Sequence, residues 1–185
     1  MGYEQALGKA WNEIAALSRE KKFSLKFLAD EYEIDVEQKR VLSLSCNVPA
    51  KEFLSIILLH YFIQKQKQRV LPQPSGDWVD FRQIEGGDAY YPAFKKRVTG
   101  TLFRKFSTRP DALWQVLERL PAKKSQLGDV GVVVEAFPEV PILVTIWKAD
   151  EEFKAEANLL FDRSIRGIFC TEDIVVLAEL VARAL

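Results

Sequence analysis

The chain is 185 residues long, the size of one domain or one domain with an appended lobe, and long enough to fold without disulfide or metal staples. Its 26 basic and 26 acidic side chains cancel, which excludes a global field drawing the protein to nucleic acid or an anionic membrane. Two cysteines, Cys46 and Cys170, and one histidine, His60, argue against a disulfide scaffold, a His-rich metal site and a classical nucleophile–His triad.

The N-terminus opens on an amphipathic repeat, Tyr3, Leu7, Ala10, Trp11, Ile14 and Leu17, with charged residues on the other side. It has no basic-then-apolar signal pattern. Together with the sparse cysteines this leads us to expect a cytoplasmic protein. The period then changes to two: Phe23, Leu25 and Phe27, next Tyr32, Ile34 and Val36, next the run 41–46. Three short strands with polar turns predict an antiparallel meander. Asn47 and Pro49 mark the start of a helix whose stretch 53–63 is apolar almost all round. That stretch is about half the ~20 residues of a membrane span, so it reads as a core helix at the centre of the fold. Pro72, Pro74 and Gly76 place an internal hinge at 71–77 within a single domain, 1–185.

Beyond the hinge, Gly86-Gly87-Asp88 is a turn with Asp88 as cap, leading to a helix with a stripe of Tyr91, Phe94, Val98, Leu102 and Phe106. Gly100 is a weak point in it. A short helix at 111–120 follows, then a loop at 123–128. The runs 130–137 and 141–147 read as a hairpin, its second strand apolar and β-branched like a strand buried on both faces. A last helix, opened by Thr171 as N-cap, buries Ile174, Leu177, Ala178, Val181 and Leu185. The predicted class is α+β: an antiparallel sheet, from N-terminal meander plus C-terminal hairpin, packed by amphipathic helices.

Few residues carry chemistry. His60 sits in the apolar helix with no His or Cys at i±4 and reads as a hydrogen-bonded core histidine. Between Lys95 and Arg109 six cations occur without an acid, interleaved with aromatics. Helical spacing places Phe94 and Phe106 with Val98 and Leu102, so the run reads as a solvated face and no nucleic-acid partner is expected. The richest stretch runs from Pro138 to Asp173. There Asp150, Asp162 and Glu172 are the candidate hard-cation or acid–base carboxylates, in a spacing that fits no fixed metal motif. Glu172 equally suits the first turn of the last helix. Arg163 beside Asp162 is either an anion clamp or part of a structural tie, and the tie is preferred.

Three passages carry a family resemblance: 58–62 with His60; Trp78-Val79-Asp80-Phe81-Arg82 with Gly86-Gly87; and 147–153 with Ala157-Asn158-Leu159-Leu160-Phe161-Asp162 and Thr171-Glu172-Asp173. The chain resembles the uncharacterised family called domain of unknown function three-seven-eight-six of anaerobic bacteria and archaea. Members of that family also occur joined to an iron–sulfur domain of the type found in corrinoid proteins. The resemblance implies an anaerobic setting, a corrinoid or other tetrapyrrole as cofactor by association, and an iron–sulfur or corrinoid protein as partner. It supplies no catalytic residues, and two cysteines cannot hold a Cys₄ cluster within one chain.

The functional reading preferred from sequence is a non-catalytic ligand-binding or accessory module. Its cleft would lie between the 81–91 loop and the rim 147–162, for a small molecule held by Arg82, Tyr91, Trp147, Asp150, Asp162 and Arg163. The alternatives are a carboxylate–metal, hydrolase-like enzyme using Asp150, Asp162 and Glu172, and a scaffold that docks a protein through an exposed apolar face. No membrane partner is expected.

Overall fold

The computed structural model describes residues 2–185, and they form an α+β protein. The chain divides into two compact units, one ending at Pro72 and the other spanning Gln73–Leu185. The boundary falls between Pro72 and Gln73.

The first unit pairs two helices and a small sheet. Helix α1 (Gly2–Leu17) buries Ala10, Trp11 and Ile14, the stripe its 3.6-residue period dictates. Strands β1 (Lys22–Phe27), β2 (Asp30–Asp35) and β3 (Arg40–Ser43) form the antiparallel meander, in register Leu25↔Tyr32 and Ile34↔Val41. Helix α2 (Glu52–Lys67) is the apolar helix. Ile57, Leu58 and Leu59 are consecutive and all fully buried, so it is covered on more than one side within this unit. Phe62 meets Phe23 of β1 with ring centroids 4.3 Å apart. The expected cap does not form: Asn47 takes a left-handed conformation in the turn after β3, and Lys51 precedes the helix without a side-chain cap. Pro49 instead bridges Leu42.

The second unit is a five-stranded antiparallel sheet in the order β4-β8-β7-β6-β5, where β4 is Trp78–Val79, β5 Ala122–Ser125, β6 Val130–Phe137, β7 Val140–Trp147 and β8 Glu156–Asp162. The hairpin β6–β7 lies where the apolar runs put it, and β7 is the central strand. Val130, Val132 and Val134 pair with Ile146, Val144 and Ile142, and all six are buried. These side chains share a face with Ala157, Leu159 and Phe161 of β8, and that face carries the helices. Phe161 meets Phe81 and Phe94, whose rings stack at 4.4 Å and 4°.

The helical layer is α3 (Gly87–Phe94), a π-helical segment (Lys95–Thr99), α4 (Gly100–Phe106) and α5 (Thr171–Ala184). The weak point expected at Gly100 is therefore a change of winding just before it. In α5 the predicted stripe is the buried one. Its N-cap is Cys170, not Thr171, whose hydroxyl donates to the Glu85 carbonyl at 2.6 Å. Likewise α3 is entered through left-handed Gly86 instead of an Asp88 cap. Two other expectations change. The region read as helix 111–120 is a 3-10 run, Pro110–Glu118, and the loop at 123–128 contains strand β5. Among the described residues no helix is long and apolar enough to cross a membrane.

Candidate functional site

The six expected ligand contacts and Glu172 all lie in the second unit, and β8 decides which of them meet. Trp147 of β7 pairs with Glu156 at the start of β8, whereas Ile142 pairs with Phe161 near its end. Glu156 and Asp162 are six residue steps apart, or about 20 Å of extended chain. Trp147 and the corner after it therefore lie at one end of the strand, and Asp162 and Arg163 at the other. The expected meeting of Asp150 with Asp162 does not occur, because a rim that follows β7 and a residue that ends the antiparallel β8 point away from each other.

Each acid has its own local occupation. Asp150 accepts from the backbone N–H groups of Glu152 and Phe153 at 2.9 and 2.7 Å and closes its own exposed turn. Those two bonds hold its carboxyl below the usual range. Asp162 is 1% exposed and accepts from Ser75 N at 3.2 Å, Gly76 N at 2.6 Å and Ser164 N at 3.0 Å. Burial pushes this carboxyl up, but the bonds from Ser164, Gly76 and Ser75 outweigh it and the net shift is downward. Arg163 pairs with Asp77 through its side chain, and its N–H donates to the Asp77 carbonyl at 2.9 Å. Asp162 and Arg163 are thus the structural tie, fastening the segment before β4 to the end of β8. Glu172 accepts from the Tyr90 hydroxyl at 2.5 Å, which lowers its carboxyl and raises the phenol. Among the described residues no three His, Cys, Asp or Glu side chains gather as a metal would require, so Asp150, Asp162 and Glu172 form no common centre.

Arg82 and Tyr91 do come together. The guanidinium lies 4.8 Å from the centroid of the Tyr91 ring, a cation–π distance. It is also 3.5 Å from Asp80 Oδ1. Tyr91 then opens a cleft of ≈ 410 Å³ between the helical layer and the beginning of β8. One wall is a line with four-residue spacing, Tyr91, Lys95, Thr99 and Phe103, with Gly100 beside it. The other is 155–158. Phe103 is 43% exposed and Trp147, across from Glu156, is 47% exposed, so aromatic surface stays open on both sides of this end of the sheet. The helical wall of this cleft runs from Tyr91 to Phe103 and not along the 81–91 loop, and of the expected contacts Tyr91 alone is on its lining.

In the sequence, Lys95 and Phe103 read as part of a solvated basic run and Thr99 and Asn158 have no role, although the four-residue spacing of Tyr91, Lys95, Thr99 and Phe103 is legible. The π-helical turn explains the difference. Its wider winding closes with Gly100 N–H on the Lys95 carbonyl, which also accepts from Thr99 Oγ1 at 3.2 Å. Single π turns of this kind recur at functional sites. Three other cations of the run have partners: Arg97 is 3.7 Å from Glu179, Arg104 donates to Thr101 Oγ1 at 3.1 Å, and Lys105 Nζ donates to the carbonyls of Ala182 and Arg183 at 3.1 and 2.9 Å. A second hollow of ≈ 480 Å³, lined by Pro74, Pro121, Val133 and Pro141 with charges on its lining, has no aromatic wall, so the β8 cleft is the better candidate.

No curated protein and no solved structure matches the chain. A family model does match, over residues 9–184, and with nearly the whole chain covered the protein belongs to the family described as Domain of unknown function (DUF3786).

Proposed function

We propose that this protein is a ligand-binding or accessory module without catalytic chemistry of its own, whose ligand sits in the cleft between the Tyr91–Phe103 line and the start of β8. One observation carries the reading. The cleft combines two partly open aromatic rings with a few polar groups, Lys95, Thr99, Glu156 and Asn158, while Asp150, Asp162 and Glu172, which a hydrolase would need to converge, are engaged separately in a turn, a tie and a bond from the Tyr90 hydroxyl. That mixture of apolar wall and sparse polar contacts is the pattern of small-molecule sites.

The volume narrows the choice. At ≈ 410 Å³ the cleft falls near the lower end of the roughly 300–1,000 Å³ usual for such sites. It admits an edge or an arm of a corrinoid or other tetrapyrrole, not the whole macrocycle, and the Lys95 ammonium suits an acidic or amide-bearing arm. A thermal-shift screen of the intact protein against cobalamins, tetrapyrrole precursors and small organic acids tests the reading. At a ligand concentration 100 times Kd, binding adds about 2.7 kcal/mol, and the melting temperature rises by several degrees. Gly100→Trp, which fills the cleft from its lining, abolishes the rise. If no ligand moves the melting temperature, or if Gly100→Trp leaves the shift intact, the cleft is not the binding site.

A further inference from the structure

The two edges of the N-terminal meander are finished differently. Beyond β3 the chain folds back on the sheet: Ser43 N–H donates to the Val48 carbonyl at 3.0 Å and Ala50 N–H to the Val41 carbonyl at 2.9 Å, so residues 48–50 close that edge. Strand β1 pairs with β2 along its whole length and with no other strand.

Main-chain direction along β1 follows from register. Val36 N–H donates to the Lys21 carbonyl at 2.8 Å. The peptide groups of Phe23, Leu25 and Phe27 therefore face β2, and those of Lys22, Ser24 and Lys26 face away, by the two-residue alternation of an antiparallel ladder. The Glu31 carbonyl fits this order: its residue opposes Lys26, and it turns to the far side of β2 to accept from Leu44 N at 2.8 Å. Lys22, Ser24 and Lys26 are all exposed, and their main-chain groups have no partner on the open side among the described residues. Edge lysines ordinarily guard such a row, but the first two side chains are drawn away from it. Lys22 Nζ lies 3.0 Å from Glu33 and 3.4 Å from Asp35, and Ser24 Oγ donates to Glu31. The open edge borders a hollow of ≈ 330 Å³, with Lys22, Phe23, Ser24 and Leu25 on one side and Tyr61 and Phe62 of α2 on the other.

We propose that this edge receives an extended peptide segment of a partner protein, which lies between β1 and α2 and continues the meander as a further strand. Outward peptide groups at every second residue are matched by another extended main chain, which supplies donors and acceptors at the same repeat. Alternate side chains of the added strand then face the hollow beside Phe23, Leu25 and Phe62, and are apolar. The side chains between them share the other face of the sheet, where charge alternates from strand to strand: Arg40 on β3, then Glu31, Glu33 and Asp35 on β2, then Lys22 and Lys26 on β1. An acidic residue continues that alternation. Glu20, on the lining two residues before β1, opposes an acid at the Lys22 end. The acid therefore sits beside Lys26, which makes no ion pair among the described residues. Glu31, opposite Lys26 on β2, is one strand further away, with the lysine between the two carboxylates. This site belongs to the first unit and does not depend on the β8 cleft.

Selection from a library of random linear peptides, displayed against the intact protein, tests this. The expected winners carry apolar residues two apart, with an Asp or Glu next to one of them. In amide hydrogen exchange of the free protein the N–H groups of Phe23 and Leu25 are slow and those of Lys22, Ser24 and Lys26 are fast. A bound peptide slows the latter by about tenfold or more. Ser24→Pro removes one outward N–H without removing a bond to β2, the place on an edge strand where proline is tolerated. It weakens the peptide by about tenfold, and Lys26→Glu weakens it a few-fold. If Ser24→Pro does not fold, the exchange measurement on the unaltered chain decides. The proposal is overturned if no linear peptide is selected, or if a folded Ser24→Pro binds as tightly as the unaltered chain. It is equally overturned if the selected peptides leave the Lys22, Ser24 and Lys26 amides exchanging as before, whichever other amides they protect.

Discussion

Asp162 is the residue whose removal has the clearest consequences. Its carboxylate is buried and serves three backbone donors, two in the segment before β4 and one in the 3-10 turn after β8. Alanine there strands those N–H groups and removes a cap, so Asp162→Ala loses about 2–4 kcal/mol in denaturant unfolding. The pH dependence has a definite sign. Its folded carboxyl lies below the ordinary 3.8 because the hydrogen bonds outweigh burial. The ionised form therefore stabilises the fold at all pH values above that ordinary value, and the contribution is lost as pH falls through the lower folded value. The stability gap between the unaltered chain and Asp162→Asn is accordingly constant near neutrality and narrows below about pH 4. A gap that stays flat to the lowest pH at which the protein folds would contradict this account.

The elements that the sequence disclosed are those whose own period fixes their burial. Helices α1 and α5, the meander β1–β3 and the hairpin β6–β7 each announce a stripe or an alternation long enough to read, and α2 announces itself as a nearly continuous apolar run. Strand β5 does not, because Lys123 and Lys124 occupy its middle at the edge of the sheet, where charge protects an open edge. Strand β8 received no strand assignment from the sequence. Its role depends on partners far away in sequence, β7 on one side and two residues of β4 on the other. The cleft needed both β8 and the π-helical turn, and neither has a local signature. Turns are similarly tertiary in origin. At Gly87 the feature that matters is close approach: a Cβ there would lie 2.1 Å from the Phe81 carbonyl oxygen. Gly87→Ala must push the Phe81–Gln83 turn and α3 apart, disturbing the Phe81–Phe94 stack. An overpacking cost of about 1–3 kcal/mol is expected, read as a lower unfolding midpoint. The C-terminal end of α5 offers a second test at this scale. Lys105→Met removes the ammonium that donates to the carbonyls of Ala182 and Arg183 while keeping most of the apolar stem, and costs about 1 kcal/mol.

At the scale of the molecule, the chain passes from one compact unit to the other at Pro72 and Gln73, and the second unit fastens its own beginning at once. Ser75 and Gly76 donate to Asp162, and Asp77 takes both the side chain and the N–H of Arg163. Three consecutive residues are thereby anchored to the end of β8, so the unanchored stretch beside the boundary is short. Protease susceptibility follows the population of locally opened chain when opening and closing are fast. In the unaltered protein a non-specific protease at low dose cuts slowly within 73–77, because two buried-carboxylate bonds and a paired guanidinium must open together. Arg163→Ala removes only the exposed pair, worth at most about 1 kcal/mol, and raises the cutting rate a few-fold. Asp162→Ala removes the buried anchor and raises it at least about tenfold. Mass spectrometry of the fragments locates the cut. Equal rates for the two variants would mean that the segment is held by something other than Asp162, and would undo the assignment of that carboxylate as the tie.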